Sequence, residues 1–533
     1  MPVDCIPFRE TNYFSTLICD YIDKKESLKS FYGNYPSLEN FSNQIDQKKT
    51  SFSLSHRTIL VQELKEQYRA LEIKEIVAEN IDSLKDENTF TITTGHQLNL
   101  FTGPLYFLYK IISTINLCKK LKEQYPGNNF VPIYWMATED HDFDEIHFFN
   151  LYGKKIQWNR DAKGPVGRLS TEGLDKVFDI FSAEIGVGKN ADELRDLFRN
   201  SYLKSKSLAE ATRHLANELF GDQGLVIVDG DSTNFKRLFI PYMEQELKQE
   251  VTYNYVLPAT DKLNDLNYNV QVNPREINLF YITDNLRERI IKNENKYYVN
   301  DTDIAWSEAE IIKRLDAEPE SFSPNVMMRP LYQEVILPNL CYIGGGGELA
   351  YWFELQNLFK EVEVPFPILL LRNSVLLKSK KQQDKIEKLN ISTKDLFLKK
   401  HELINKKVRN ISNIDIDFSP QRKHLMKQFE DLYKLAEVTD ASFINAVKAQ
   451  EVKQLKGLDM LEKRLLKAQR IKLSDHVARL TKLQNELFPN GSLQERNKNF
   501  SEFYKEHGKE LIDILITELD ALKHEFYIIT MPN

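Results

Sequence analysis

The sequence predicts an α/β fold, a parallel β-sheet flanked by helices and carrying long connecting insertions, followed by an α-helical coiled-coil domain. Three observations predict it. From residue 89 onward short apolar runs alternate with amphipathic helical stretches, the pattern of a sheet covered by crossover helices. The clearest runs are 89–94, 130–137, 225–229 and 367–371, the last three continuously apolar rather than alternating, which suggests strands covered on both faces. Beyond Arg372, glycine and proline thin out and leucines recur at three- and four-residue steps among lysines and glutamates.

A chain of 533 residues exceeds what one core normally supports, so two or more folded units are expected. Its 42% hydrophobic and 28% charged composition fits a globular protein and excludes a largely disordered one. The net charge of -7 gives no broad basic footprint, and the lysines of 378–482 are interleaved with acids, so no nucleic-acid partner is expected. Cys5, Cys19, Cys118 and Cys341 show no CxxC spacing, which indicates neither a zinc knuckle nor a disulfide framework. The N-terminus lacks the pattern of a secretory leader, and no apolar run approaches about 18 residues. A cytoplasmic protein with no membrane span is the expectation.

The first ~80 residues read as a helical cover with Phe14, Phe31 and Tyr35 as anchors. Together 1–375 form the predicted catalytic domain, with insertions at about 151–220 and 251–329, placed to act as substrate walls or lids. Residues 376–490 form the predicted helical hairpin. Its stripes are Leu425, Phe429, Leu432 and Leu435, and Leu455, Leu458, Leu461 and Leu465, with the reversal at 411–421. Such an apolar seam suits a homodimer. The segment 491–533 is expected to return as a short helix and dock on the core through Tyr527, Ile528 and Ile529.

Three clusters carry the candidate chemistry, each just past the carboxyl end of a strand, where open α/β sheets bind ligands. The first is Thr94-Gly95-His96-Gln97, continuing to Thr102-Gly103-Pro104. Pro104 suits the first position of a helix, whose free amides favour a phosphate or carboxylate, and the glycines permit close approach. Lys110 is set aside as too far along that helix, and a tight turn around a buried histidine would explain the same residues. Neither a Walker A nor a GxGxxG motif is present. The second cluster, Glu139-Asp140-His141-Asp142-Phe143-Asp144-Glu145 with His147 beyond it, crowds ionisable groups that need cations, a substrate amine or water. On a helix, Asp140 with Asp144, or His141 with Glu145, would share a face; a solvated acidic loop is the plainer reading. The third cluster is Gly344, Gly345, Gly346 and Gly347 followed by Glu348, Tyr351 and Trp352, preceded by Arg329, Gln333 and Glu334. Successive glycines make either a bed of amides or a flexible loop. Arg329 and Arg372 are candidate carboxylate anchors, because a guanidinium binds a carboxylate bidentately.

In order, TGHQLNLFTGPLY (94–106), VPIYWMATEDHDFDEI (131–146), SPNVMMRPLYQEVILPN (323–339) and YIGGGGELAYW (342–352) resemble the cysteine-adding ligase family of bacillithiol biosynthesis. The resemblance runs from the amino-terminal half through the helical tail. It departs at His96, where glutamine is common, and at Gly346, where proline is. It implies a Rossmann-like core resembling class I aminoacyl-tRNA synthetases, and a dimer-forming coiled coil. The implied reaction joins L-cysteine to the free amine of glucosaminyl-malate. An amide made from a free carboxylate requires an activated acyl group, so ATP is the expected co-substrate, with Mg accompanying it and no tightly bound metal. Thr94, Gly95, His96, Gln97, Thr102, Gly103 and Pro104 are then the nucleotide-binding expectation. Glu139, Asp140, His141, Asp142 and Asp144 are the catalytic one, with an acid or His141 taking the amine proton. Arg329, Gln333, Gly344, Gly345, Gly347, Glu348, Tyr351 and Trp352 are assigned to substrate, Arg329 to malate. No convincing KMSKS-like loop is present, 377–381 being the nearest basic match. Two other readings stay open: a metal-dependent hydrolase built on the 139–145 cluster with His96 and His147, and a coiled-coil scaffold for other enzymes of the thiol pathway.

Overall fold

The computed structural model describes residues 3–294 and 296–532. Among them, five parallel strands form the central sheet: β1 (Thr89–His96), β2 (Asn129–Met136), β3 (Val226–Asp229), β4 (Asn339–Gly344) and β5 (Ile368–Leu371). Their order is β5-β4-β1-β2-β3, all parallel, which is the arrangement of a Rossmann-like half. The chain steps outward from β1 through β2 to β3, then returns to the far side of β1 for β4 and β5. The strand order therefore reverses between β1 and β4, and the loops at their carboxyl ends diverge and open a crevice.

Local chemistry explains the pairing of these two strands. Phe90, Ile92, Cys341 and Ile343 bury their side chains in one core with Ile368 and Leu370 of β5 and with Leu117, Cys118 and Leu121 of helix α1 (Tyr106–Gln124). Buried polar groups within the sheet are satisfied across the same seam: the hydroxyls of Thr91 and Thr93 donate to Asn339 Oδ1 at 3.3 and 2.8 Å, and Thr94 Oγ1 donates to the Ile343 carbonyl at 2.7 Å. A hydroxyl left unpaired there would cost about 1–3 kcal/mol, so these threonines help to fix the register.

The chain folds as two compact units. One comprises 3–376 with 494–529, the other 377–493 with 530–532. The first insertion, between β2 and β3, is a hairpin (Phe148–Leu151 with Lys154–Gln157) followed by three helices (Leu174–Glu184, Lys189–Phe198, Leu208–Phe220). The second, between β3 and β4, adds the helices Thr233–Gln249 and Val251–Asp265 and then a five-stranded antiparallel sheet within 279–324. Sequence reading took this stretch as merely polar. Its strand Leu286–Asn293 carries Arg287, Glu288, Arg289 and Lys292 and is mostly half-exposed, so charge hides the strand pattern.

Two further differences concern the ends and the hairpin. The strand Val3–Pro7 pairs antiparallel with Glu525–Thr530, so the expected helical cover and helical tail meet as sheet. In the helical unit the long antiparallel pair is Ser419–Glu437 and Ala441–Lys472, and the reversal falls at 438–440, where Asp440 caps the second helix by accepting from the Ser442 amide at 2.9 Å. The polar break expected to turn the chain instead links this pair to Lys400–Ile411. The seam consists of Phe429, Ala436 and Val447 with Leu425 and Tyr433, while Leu432, Leu435 and Leu461 face outward. No described helix is long and apolar enough to cross a membrane.

Candidate functional site

At the switch point, β1 ends in Gly95 and His96 and β4 ends in Gly344. A Cβ on Gly95 would stand 3.3 Å from the Tyr342 hydroxyl and 3.7 Å from Arg329 NH1, so the glycine admits these groups to the strand end. Lys110 Nζ donates to the Gly95 carbonyl at 2.6 Å and ion-pairs with Glu348 at 2.6 Å. Glu348 lies in the first turn of α3 (Gly346–Trp352) and also accepts from the Tyr342 hydroxyl at 2.7 Å and from the Gly345 amide at 3.2 Å. Burial opposes its charge, but Lys110 and these donors hold its carboxyl below the ordinary value. Burial likewise draws Lys110 below its usual value, against the pull of Glu348. Sequence reading had discounted Lys110 by starting the helix at Pro104. The helix begins at Tyr106, which puts Lys110 one turn in and beside the strand end.

Arg329 opens helix α2 (Arg329–Ile336). Its guanidinium donates to Gln333 Oε1 at 3.1 Å and to the Tyr351 hydroxyl at 3.5 Å, and lies 5.7 Å from the centre of the Tyr342 ring. Gln333 passes the chain on to Glu334 Oε1 at 3.0 Å, and Glu334 is held by Asn339 at 2.6 Å and by Lys48 at 3.5 Å. Among the described residues no carboxylate pairs with Arg329, although it is only half-exposed. Trp352 is fully buried and stacks on Tyr342 at 4.5 Å, so it supports the wall rather than facing a ligand. Arg372, the other expected carboxylate anchor, is already paired with Glu495 at 2.7 Å.

The expected nucleotide loop divides. Thr94, Gly95, His96 and Gln97 stay with the strand end. The His96 ring stacks on Tyr106 at 5.3 Å with Nε2 lacking a protein partner, and burial, reinforced by the charges of Lys110 and Arg372, holds its pKa well below the ordinary value. Thr102, Gly103 and Pro104 lie where the loop is held by the segment 498–499. Asn499 Nδ2 donates to the Phe101 and Gly103 carbonyls at 2.7 Å each, and the Leu105 amide is spent on the Lys498 carbonyl at 2.7 Å. The Leu105 amide is therefore not free for a phosphate.

The acidic cluster lies one strand over, beyond β2. Only Phe143–Ile146 is helical, so the pairings of Asp140 with Asp144 and of His141 with Glu145 on one helical face do not arise. Asp142 caps that turn by accepting from the Glu145 amide at 3.2 Å, and the Asp144 side chain is 97% exposed. Glu139 and Asp140 point inward. Glu139 ion-pairs with the fully buried Lys236, whose Nζ also donates to the Phe322 carbonyl at 2.6 Å. Burial raises the Glu139 carboxyl pKa, with Lys236 opposing. Asp140 accepts from Gln97 Nε2 at 2.9 Å and from its neighbour's amide, His141 N, at 2.7 Å, with Arg287 NH1 at 4.0 Å. Burial works against its charge, yet the hydrogen bonds from Gln97 and the His141 amide, with the His141 ring close by, and the Arg287 charge hold it well below the usual carboxylate range. Lys236 and Arg287 were not singled out from the sequence, since a lone cation on a helix or a charged strand gives no local signal.

All three clusters therefore meet along neighbouring strand ends. Gln97 bridges Asp140 and Glu145, both at 2.9 Å, and Gly95 touches the Lys110–Glu348 pair. Among the described residues no three His, Cys, Asp or Glu side chains gather as a metal site. The arrangement offers a guanidinium with no directly paired acid, a closed ion pair and two inward carboxylates over a parallel sheet.

Comparison with known proteins yields two family models. "Bacillithiol biosynthesis BshC, N-terminal Rossmann-like domain" matches residues 1–373, and "Bacillithiol biosynthesis BshC, C-terminal coiled-coil domain" matches residues 375–531. Proteins named "Putative cysteine ligase BshC" are similar along nearly their whole length: 60% identical in Christiangramia forsetii (99% of each chain), 57% in Flavobacterium johnsoniae (100% of each) and 27% in Bacillus cereus (97% of this chain, 98% of that one). A solved arginyl-tRNA synthetase-titled chain from Campylobacter jejuni aligns at 12% identity over 87% of this chain and 99% of its own, with a TM-score of 0.22, which carries no argument; the fold rests on the strand order itself.

Proposed function

Because the chain belongs to the bacillithiol biosynthesis BshC family, we propose that it is a ligase adding L-cysteine to the amine of glucosaminyl-malate, with ATP activating the cysteine carboxylate. The observation that carries this reading is Arg329, a half-buried guanidinium at the switch point with hydroxyl, amide and ring neighbours and no directly paired acid, although the charge of Glu348 reaches it from a distance. A cation so placed is a receptor for a substrate anion.

The geometry supports the following roles. Arg329, held by Gln333 and Tyr351, takes a carboxylate of the malate group. Glu348 and the glycine turn of Gly344, Gly345 and Gly347 border the space for cysteine or sugar. The carboxyl of Glu139, raised by burial, is better matched to taking the amine proton than that of Asp140, whose low pKa makes it a weak base. Asp140 then serves as fixed negative charge for the amine. Asp142 and Asp144, on the solvent side, have no assigned step. A nucleotide supplies the leaving group that a free carboxylate lacks, and Thr94 to Gln97 with His96 border its place, Thr102 to Pro104 being withdrawn; Mg would arrive with the nucleotide. Proximity in such a crevice contributes up to about 7–11 kcal/mol when the reacting groups are aligned. A cytoplasmic homodimer, joined through outward residues such as Leu435 and Leu461, completes the proposal.

Incubating the purified chain with cysteine, glucosaminyl-malate and ATP tests the reading by mass spectrometry. The cysteinyl amide should form with consumption of nucleotide, and Arg329→Ala should lower kcat/KM by roughly 100- to 1000-fold, as expected for loss of a charge-assisted bidentate contact. Absence of the amide with every nucleotide offered sinks the proposal.

A further inference from the structure

Beyond β2 the edge of the His141 ring faces the Arg287 guanidinium, with NH1 2.7 Å from Nδ1. A guanidinium has only donors and keeps its protons at any ordinary pH. The contact is a hydrogen bond only when Nδ1 offers its lone pair, since a protonated Nδ1 would set two N–H hydrogens against each other. A neutral imidazole accepting at Nδ1 carries its proton at Nε2. Asp140, the other charged group on this edge, does not reverse the assignment. Its Oδ1 is 3.6 Å from Nδ1, beyond hydrogen-bond reach, and is engaged by the His141 amide at 2.7 Å.

The surroundings hold both partners in place. The Arg287 guanidinium sits 3.9 Å over the centre of the Phe280 ring and its side chain is 8% exposed, while the His141 ring packs on the same phenylalanine at 5.8 Å. Burial draws the Arg287 pKa below its ordinary value, and the charges of Asp140 and Glu139 oppose that pull. The His141 side chain is 50% exposed, and among the described residues its Nε2 has no protein partner. One edge of the ring is therefore locked and the other is open.

We infer that Arg287 is a positioning residue that fixes His141 as an Nε2–H hydrogen-bond donor to a substrate oxygen, so that His141 does not accept a proton. The inference rests on the ligase reading for the oxygen served: the carbonyl oxygen of the activated cysteinyl group, which gains negative charge as the amine adds and loses it when the leaving group departs. A donor held toward that oxygen stabilises the charge. Because Arg287 stands on the antiparallel sheet of the second insertion, that insertion contributes to the chemistry of a site built on the parallel strands.

Two measurements on the full chain decide it. With histidines labelled by nitrogen-15 and the His141 signals identified by their loss in His141→Gln, the neutral wild-type ring should show a protonated Nε2 and a bare Nδ1, and Arg287→Ala should shift it toward a tautomer mixture. In the ligase assay His141→Gln, whose side-chain amide can donate from near the Nε2 position, should stay within about tenfold of wild type, whereas His141→Ala should lose roughly 100-fold, the usual size of one lost oxyanion donor. A proton-accepting role would cost both variants equally. The inference is overturned by a protonated wild-type Nδ1, or by folded Gln and Ala variants that are equally inactive. If wild type makes no amide at all, the ligase reading is what has failed, and the spectrum still decides the tautomer.

Discussion

The carboxyl ends of β1 and β4 manage buried charge in the opposite way from the carboxyl end of β2. Beside β2 each inward acid faces a cation brought by another element: Glu139 meets Lys236 from the helix after β3, and Asp140 meets Arg287 from the antiparallel sheet. At the β1–β4 crevice Lys110 and Glu348 close on one another, but Arg329 is left with neutral partners. A half-buried charge whose nearest acid is already closed on another cation is left open to an external anion. The difference separates residues that keep the site folded from a residue that keeps it receptive.

Stability measurements break this comparison most directly. Lys236→Met strands Glu139 in the interior, and removing one partner of a buried pair typically costs about 3–5 kcal/mol. Arg329→Ala strands no acid and should cost about 1 kcal/mol, the price of a lost hydrogen bond, while removing most of the activity. Denaturant unfolding of both variants checks this. Equal destabilisation would mean that Arg329 is a structural cation after all.

Glu354 sharpens the contrast, as a buried acid with no ion pair among the described residues. Burial pushes its carboxyl up to about 7 from 4.5, against a hydrogen bond from Thr260 and the amides of Gln271 and Val272. Since the folded value exceeds the unfolded one, the protonated form is the stabilising one. Its contribution is complete below about pH 4.5, falls as pH rises, and is gone above about pH 7. Glu354→Gln should remove this slope, worth at most about 3 kcal/mol over that window. An unchanged pH dependence of stability would show that the acid is already ionised in the fold.

How far these sites were legible depends on where their partners lie in sequence. Continuous apolar runs announced β2, β3 and β5, because strands buried on both faces leave no polar alternation, while the β-branched threonines around Phe90 and Ile92 marked β1. The same reading passed over β4 as a strand, since its six residues run straight into the glycine turn. Clusters adjacent in sequence, such as Glu139-Asp140-His141, were visible. Their counter-charges were not: Lys236 and Arg287 lie about 100 and 150 residues away, and only the fold brings them in. The first hairpin stripe was half right, Leu425 and Phe429 lying in the seam, and went astray further along for a related reason. Leucines at helical spacing mark two possible faces, and Tyr433 and Ala436 rather than Leu432 and Leu435 lie in the seam.

The smallest expected effect tests the receptor at its margin. Tyr351 holds Arg329 by a bond of 3.5 Å, near the limit of hydrogen bonding, whereas Tyr342 donates to Glu348 at 2.7 Å and belongs to the closed pair. Tyr351→Phe keeps the ring and removes only this weak hold, so Arg329 retains its charge and its Gln333 contact but is aimed less narrowly. The cost should be under about 1 kcal/mol, a two- to fivefold rise in KM for the carboxylate substrate with kcat little changed. That split is the signature of a binding contact equally present in ground and transition states. A fall in kcat at constant KM would instead assign Tyr351 to the reacting atoms, and the receptor would have to be redrawn with the hydroxyl, rather than the guanidinium, at its centre.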